Sequence, residues 1–125
     1  MAYNLVNIRS ISDSKSEPYS EIMLEKNNKS FESKSNGGGP VDAAFKAIEK
    51  IVGSNSKLQL YSVNNITDGT DSLGEVTVRI EKKGIIVNGI GSDTDIVIAS
   101  AKAYLDAINK LNMKEKIVHP QLDHV

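Results

Sequence analysis

Two glycine-rich stretches carry the residue types and spacing best suited to chemistry. The first is Asn36-Gly37-Gly38-Gly39-Pro40-Val41-Asp42-Ala43-Ala44, the second Asn88-Gly89-Ile90-Gly91-Ser92-Asp93-Thr94-Asp95-Ile96. Each reads as a turn that opens an amphipathic helix. The first N–H groups of a helix have no partner within it, and its dipole puts partial positive charge there. Each stretch therefore offers a cradle for a carboxylate or a phosphate. Glycine at 37 and 39 permits positive φ and close backbone approach. The alternative reading of both stretches is tight packing and capping, with Asp93 or Thr94 as the cap of the second helix. Neither stretch is a phosphate loop, since no Gly-Lys-Ser/Thr is present. Neither is a dinucleotide fingerprint, which needs a parallel crossover.

The remaining polar residues offer less. Asp68, Asp71, Asp93 and Asp95 imitate cation ligands, but no twelve-residue calcium loop with its closing glutamate occurs, and turn or capping roles suit them better. His119 and His124 are the only histidines, and both fall near the end. Serines are abundant without a nucleophile elbow. No nucleophile, base and orienting group stand together, which argues against catalysis by this segment. Tyr61 stands out on an alternating stretch, where its ring could close a small apolar pocket with the hydroxyl free for a ligand.

The elements that position these residues repeat. Tyr3 to Ile11 reads as a strand, Ser12 to Pro18 as a turn, Tyr19 to Glu25 as a strand with Ile22 and Leu24 inward, Asn27-Asn28 as a tight turn, and Lys29 to Ser35 as a return strand. Pro40 suits a first helical turn, and Val41, Ala44, Phe45, Ile48 and Ile51 or Val52 recur at helical spacing before Gly53-Ser54. Glu49 and Lys50 are expected to face outward. The second half follows suit: Leu58 to Ile66, a turn at Asp68-Gly69-Thr70-Asp71, Glu75 to Glu81 with Val76, Val78 and Ile80 inward, a turn at Lys82-Lys83-Gly84, and Ile85 to Asn88. A helix is then predicted from about Thr94 to Asn112, with Ile96, Ala99, Ala103, Ala107, Ile108 and Leu111 inward. The fold class is α+β: two βββα units, at about 3–54 and 57–112, each an antiparallel three-stranded sheet on one helix. Residues 113–125 read as a flexible tail, with Pro120 barring helix. So thin a layer leaves apolar surface, so the units must pack on each other and on a second chain.

Composition sets the outer bounds. The 125 residues are 39% hydrophobic and 25% charged, the globular average, with a net charge of −1. Basic runs are short and balanced, which argues against nucleic acid. Cysteine is absent, which removes disulfides and thiolate chemistry. No apolar run approaches a membrane span, and Met1-Ala2-Tyr3-Asn4 does not begin a signal peptide. A cytoplasmic setting is expected, which makes the glycosylation-like triplets at Asn28 and Asn65 chance matches.

Several stretches together resemble the C-terminal regulatory domain of 2-isopropylmalate synthases. They are Gly39 through Ile48, Leu60-Tyr61-Ser62-Val63, Thr67 through Val78, Gly89-Ile90-Gly91 and Asp95 through Tyr104. The likeness covers roughly Tyr3 to Asn112, in order, and the regulatory domain of citramalate synthases is closely similar. The resemblance implies a pseudo-twofold pair of βββα units that forms a homodimer and binds an end-product amino acid, leucine in the former family or isoleucine in the latter. It implies no cofactor here, since the barrel that condenses acetyl-CoA with a 2-oxo acid on a divalent metal is not in this sequence. The chain thus reads as an isolated regulatory piece. Inhibitor contacts carry over to Gly37, Gly39, Val41 and Asp42, to Leu58, Tyr61 and Asn65, to Ser72 and Gly74, and to Ile96. Asn65 departs from the family, where that position is often small or apolar; a buried amide there would need partners. Asp42 suits an α-ammonium but opposes a carboxylate. A dimerisation-only module is the rival from a different class, and a small enzyme a third.

Overall fold

A computed structural model describes residues 2–13, 15–67 and 72–118. The predicted turn at Asp68–Asp71 and both histidines lie outside them. Six strands and two helices follow in the order β1 (Asn4–Asp13), β2 (Ser16–Lys26), β3 (Lys29–Asn36), α1 (Pro40–Val52), β4 (Lys57–Thr67), β5 (Ser72–Lys82), β6 (Ile85–Asp93) and α2 (Ile96–Val118). They form two antiparallel sheets, β1-β2-β3 and β4-β5-β6, as the βββα repeat requires.

Local chemistry explains most boundaries. Asn27 and Asn28 both have positive φ between the paired residues Lys26 and Lys29, as do Lys83 and Gly84 between Lys82 and Ile85. Two such residues make the mirror-image turn whose twist matches its strands. Helix α1 starts with Pro40 and ends at Gly53, whose φ of 55° lets its N–H reach the Glu49 carbonyl at 2.8 Å. The inward rows are Ile22 and Leu24 on β2, and Val76, Val78 and Ile80 on β5, all buried.

Several expectations need correction. The turn predicted over Ser12 to Pro18 is shorter than expected, because β1 runs to Asp13 and β2 starts at Ser16. Pro18 sits where pairing is irregular, between Ile11–Tyr19 and Asp13–Ser16, so its missing donor is no loss there. Helix α2 begins at Ile96 and runs to Val118, beyond Asn112, so the first part of the predicted tail is helical. Gly89 and Gly91 are not a turn. They lie within β6, where an added Cβ on either would come within 3 Å of α2 backbone, at Ala103 and Ala107 for Gly89 and at Ala99 and Ala103 for Gly91. Bare backbone facing a row of alanines lets the helix lie directly on the strand. Counted from the two hairpin turns, Gly89 and Gly91 correspond to Ser33 and Ser35 of β3, and Gly37 corresponds to Asp93. The two glycine runs are not equivalent parts of the repeat. The repeat itself is strict: the same one-residue bulge interrupts β1 at Leu5/Asn7 and β4 at Leu58/Leu60.

The helices also bond one backbone group on each of two sheet edges. Lys50 on α1 donates to the Lys34 carbonyl of β3 at 2.8 Å, and the Ile90 N–H of β6 donates to Asp106 on α2 at 3.0 Å. These are corresponding residues, served by opposite charges. At the start of β1, Asn109 bonds both backbone groups of Tyr3, at 2.9 and 3.0 Å. Among the described residues no side chain does the same for β4.

Candidate functional site

Tyr61 of β4 reaches side chains of both helices. It pairs with Val78, so its ring points to the helix side. There the edge of the Tyr61 ring system meets Phe45 of α1, with centroids 6.0 Å apart. Phe45 in turn stacks on Tyr104 of α2 at 4.4 Å. Contrary to expectation, the Tyr61 hydroxyl is not free: it lies 2.7 Å from Ser100 Oγ. Ser100 Oγ spends its own proton on the Ile96 carbonyl at 2.7 Å, so Tyr61 is the donor of the pair.

Around Tyr61 the structure gathers part of the predicted set. Gly74 and Ile96 touch, since a Cβ on Gly74 would lie 2.9 Å from Ile96 Cδ1. Asn65 pairs with Gly74 across the ladder and is exposed, so its amide needs no buried partner. Ile96 is 37% exposed and does not belong to the inward stripe. Val41, one turn before Phe45 on α1, is partly buried against the core. Leu58 shares this face of β4 but lies further along, opposite Ile80, and Ser72 is exposed beyond Gly74 opposite Thr67. Phe45, Ser100 and Tyr104 are absent from the predicted set, because Phe45 reads only as an inward helix position and the predicted inward stripe of α2 includes neither Ser100 nor Tyr104.

The two helix starts differ. Helix α2 is closed by Asp95, not by Asp93 or Thr94: Asp95 Oδ1 accepts from the N–H groups of Val97 and Ile98, at 2.8 and 3.2 Å. Asp93 accepts from the Asp95 N–H at 2.9 Å and from Lys102 at 3.1 Å. Those bonds hold its carboxyl below the usual range. Helix α1 has Gly39 at its cap and no side-chain cap bond. Neither Gly37 nor Gly39 has positive φ. Gly39 is extended, with open space where a side chain would go, whereas a Cβ on Gly37 would come within 3 Å of Ala43 backbone.

Asp42 serves the turn. Its Oδ2 accepts from the Gly38 N–H at 2.8 Å and from Lys46 at 3.1 Å. The Gly38 bond first, then Lys46, holds the carboxyl below its usual 3.8. A carboxyl lowered on folding stabilises the fold above its unfolded pKa and loses that contribution as pH falls through the folded value. Asp42→Asn is therefore expected to lower the melting temperature slightly at neutral pH, by less than about 1 kcal/mol for so exposed a group. The difference should shrink as pH falls through the lowered folded pKa and Asp42 takes up its proton. A gap that persisted in acid would assign the loss to something other than charge.

Glu49 faces α2 rather than solvent. Its Oε1 accepts from Ser54 at 2.7 Å and from Tyr104 at 3.2 Å, and its Oε2 from the Asn55 N–H at 2.8 Å. Burial, then the Glu49 charge, pushes the Tyr104 hydroxyl far above its ordinary range, so it stays protonated. This knot ties the link between the units to both helices. Two open grooves, one on the outer face of β1-β2-β3 around Arg9, Glu21 and Lys34, the other around Ile86, Met113 and Ile117, include none of the predicted residues. Among the described residues no three His, Asp or Glu side chains converge to hold a metal.

The sequence family model of the LeuA allosteric (dimerisation) domain matches residues 1–112. The chain belongs to this family. Among curated relatives of this LeuA domain, 2-isopropylmalate synthase of Nitrosospira multiformis is 54% identical over 120 residues, 96% of this chain and 24% of that protein. The enzymes of the same name from Chromobacterium violaceum and Methylococcus capsulatus are 55% and 52% identical, over 92% and 97% of this chain and 22% and 24% of theirs. The chain thus spans about a quarter of the length of the relatives it matches. No helix among the described residues is long and apolar enough to cross a membrane.

Proposed function

We propose that this LeuA domain is a feedback sensor that binds leucine beside Tyr61, pairs with a second copy, and slows the acyl transfer from acetyl-CoA to 2-oxoisovalerate in a 2-isopropylmalate synthase. One observation carries the reading. Tyr61, from the second unit, is held by α1 on one side and α2 on the other, yet stays 37% exposed. A ligand against that ring touches both units, and contacts that differ between two arrangements are what a regulatory effector needs.

The surroundings suit an amino acid. Val41, Gly74 and Ile96 give a branched side chain apolar contact, and burying an isobutyl group contributes about 2 kcal/mol. The start of α1 lacks a side-chain cap and Lys46 offsets the Asp42 charge there, so it can take a carboxylate for roughly 0.3–1 kcal/mol. The start of α2, already filled by Asp95, does not. One chain therefore takes one amino acid despite its doubled fold. The flank is open in one chain, so a second copy seated on the β4 face completes the enclosure. The divalent metal that the family resemblance implies belongs with the barrel, and the reaction in the wider protein with it. The working setting of such a biosynthetic sensor is the cytoplasm.

Calorimetric titration with leucine, isoleucine and valine tests this. Leucine is expected to bind well ahead of isoleucine, although moving one methyl is worth only about 1–3 kcal/mol. The reverse order would transfer the domain to the citramalate synthase reading, and no heat from any of the three would leave a dimerisation module. Tyr61→Ala is expected to weaken leucine at least tenfold, or about 1.4 kcal/mol, while light scattering still finds the pair. Unchanged affinity in that variant would sink the site.

A further inference from the structure

Ser100 is fully buried on α2, next to the row of Ala99, Ala103 and Ala107 that lies on β6. Its counterpart in the first unit is Ala44, equally buried. The packing therefore does not call for a hydroxyl at this place. Tyr61 likewise corresponds to Ile8, counted from the shared bulge. The Ser100–Tyr61 hydrogen bond is thus a polar pair present in one unit where the other has an apolar pair, and it falls on the flank assigned to the effector.

Resting on that assignment, we propose that Ser100 is a positioning residue of the effector site, which fixes the orientation and hydrogen-bond polarity of Tyr61. The chain of bonds has one direction: Tyr61 O–H donates to Ser100, and Ser100 O–H donates to the Ile96 carbonyl. Tyr61 keeps only acceptor capacity for a ligand, so it can serve a donor such as an ammonium and cannot serve a carboxylate. The same bond holds the ring. Tyr61 stands on a strand that no helix covers, and the aromatic ring it meets is the edge-on Phe45. Without Ser100 the ring must be ordered at the moment of binding, and immobilising a free side chain of this kind weakens affinity about three- to tenfold.

Two variants isolate the bond. In Ser100→Ala the freed tyrosine hydroxyl reaches water, because Tyr61 is partly exposed, and the alanine repeats what Ala44 does in the first unit. In Tyr61→Phe the serine keeps the Ile96 carbonyl. Neither leaves a buried polar group without a partner, so both are expected to fold. The complete chain is titrated with leucine as wild type, as each single variant and as the double variant, with the Tyr61 ring followed by carbon-13 NMR. Each single change is expected to weaken leucine about three- to tenfold, the double change no more than either alone, and Ser100→Ala to average the ring signals at an unchanged melting temperature. Wild-type affinity in Ser100→Ala, or losses that simply add, would overturn the positioning role while leaving the effector site in place. A wild type that takes up no leucine would overturn both at once.

Discussion

Gly89→Ala is expected to leave little or no cooperatively folded protein. The added methyl would come within 3 Å of the Ala103 carbonyl oxygen, the Ala107 nitrogen and the Ala107 side chain. Two of these are helix backbone, which cannot turn aside as a flexible side chain would. Helix α2 would have to lift from β6, and it carries Ala99, Ala103, Ala107, Ile108 and Leu111 into the core. A loss above about 4 kcal/mol is expected, against a total stability of about 5–15 kcal/mol for a domain. Gly39→Ser is the control. Gly39 is extended, with nothing within 4 Å of its missing side chain, and serine would supply the cap that α1 lacks. It should raise stability by a few tenths of a kcal/mol. Urea unfolding followed by circular dichroism reads both, and a Gly89→Ala midpoint equal to wild type would mean the helix does not lie so close.

Val63→Asp is expected to turn a pair of chains into single ones. Val63 and Val76 are cross-strand partners, yet Val76 is fully buried and Val63 is 43% exposed. The core stops halfway across the second sheet, leaving Leu58, Tyr61 and Val63 uncovered on its helix side. A second copy covering that strip would have to bury the new carboxylate, and an unpaired buried charge costs several kcal/mol. A rise of at least about a hundredfold in the dissociation constant follows, or about 2.7 kcal/mol. Ser62→Asp, on the opposite side of the same strand, should leave association intact. Sedimentation over a concentration series decides between them. If Val63→Asp pairs as well as wild type, the covering surface lies elsewhere. Single chains that still bind leucine would place the whole site within one chain.

The elements were legible wherever the signal is local. Alternation at Val76, Val78 and Ile80, the Asn27-Asn28 turn, and Pro40 and Gly53 around α1 each act over a few residues. What failed depends on a neighbour far along the chain. A glycine announces only the absence of a side chain. At Gly38 and Gly39 it permits a loop, whereas at Gly89 and Gly91 a helix presses on it, and the two look alike in sequence. Matching the glycine runs to each other therefore set the repeat out of step. The site shows the same division. Tyr61 stood out as an aromatic on an alternating strand. The partner of its hydroxyl, Ser100, lies on a helix whose apolar periodicity gives a serine no mark. Asp95 displaced Asp93 and Thr94 as cap because α2 begins at Ile96, later than apolar spacing alone suggested.

The backbone bonds from Lys50 and Asp106 bear on how large an assembly this domain can build. A sheet with bare borders recruits strands without limit, and filaments are the outcome. Here the border at β3 is occupied by a cation, that at β6 by an anion, and the start of β1 by an amide. Among the described residues no such bond reaches β4, nor β1 beyond Tyr3. A body with few open borders satisfies them in few encounters. Such bonds favour a small, closed assembly over a filament.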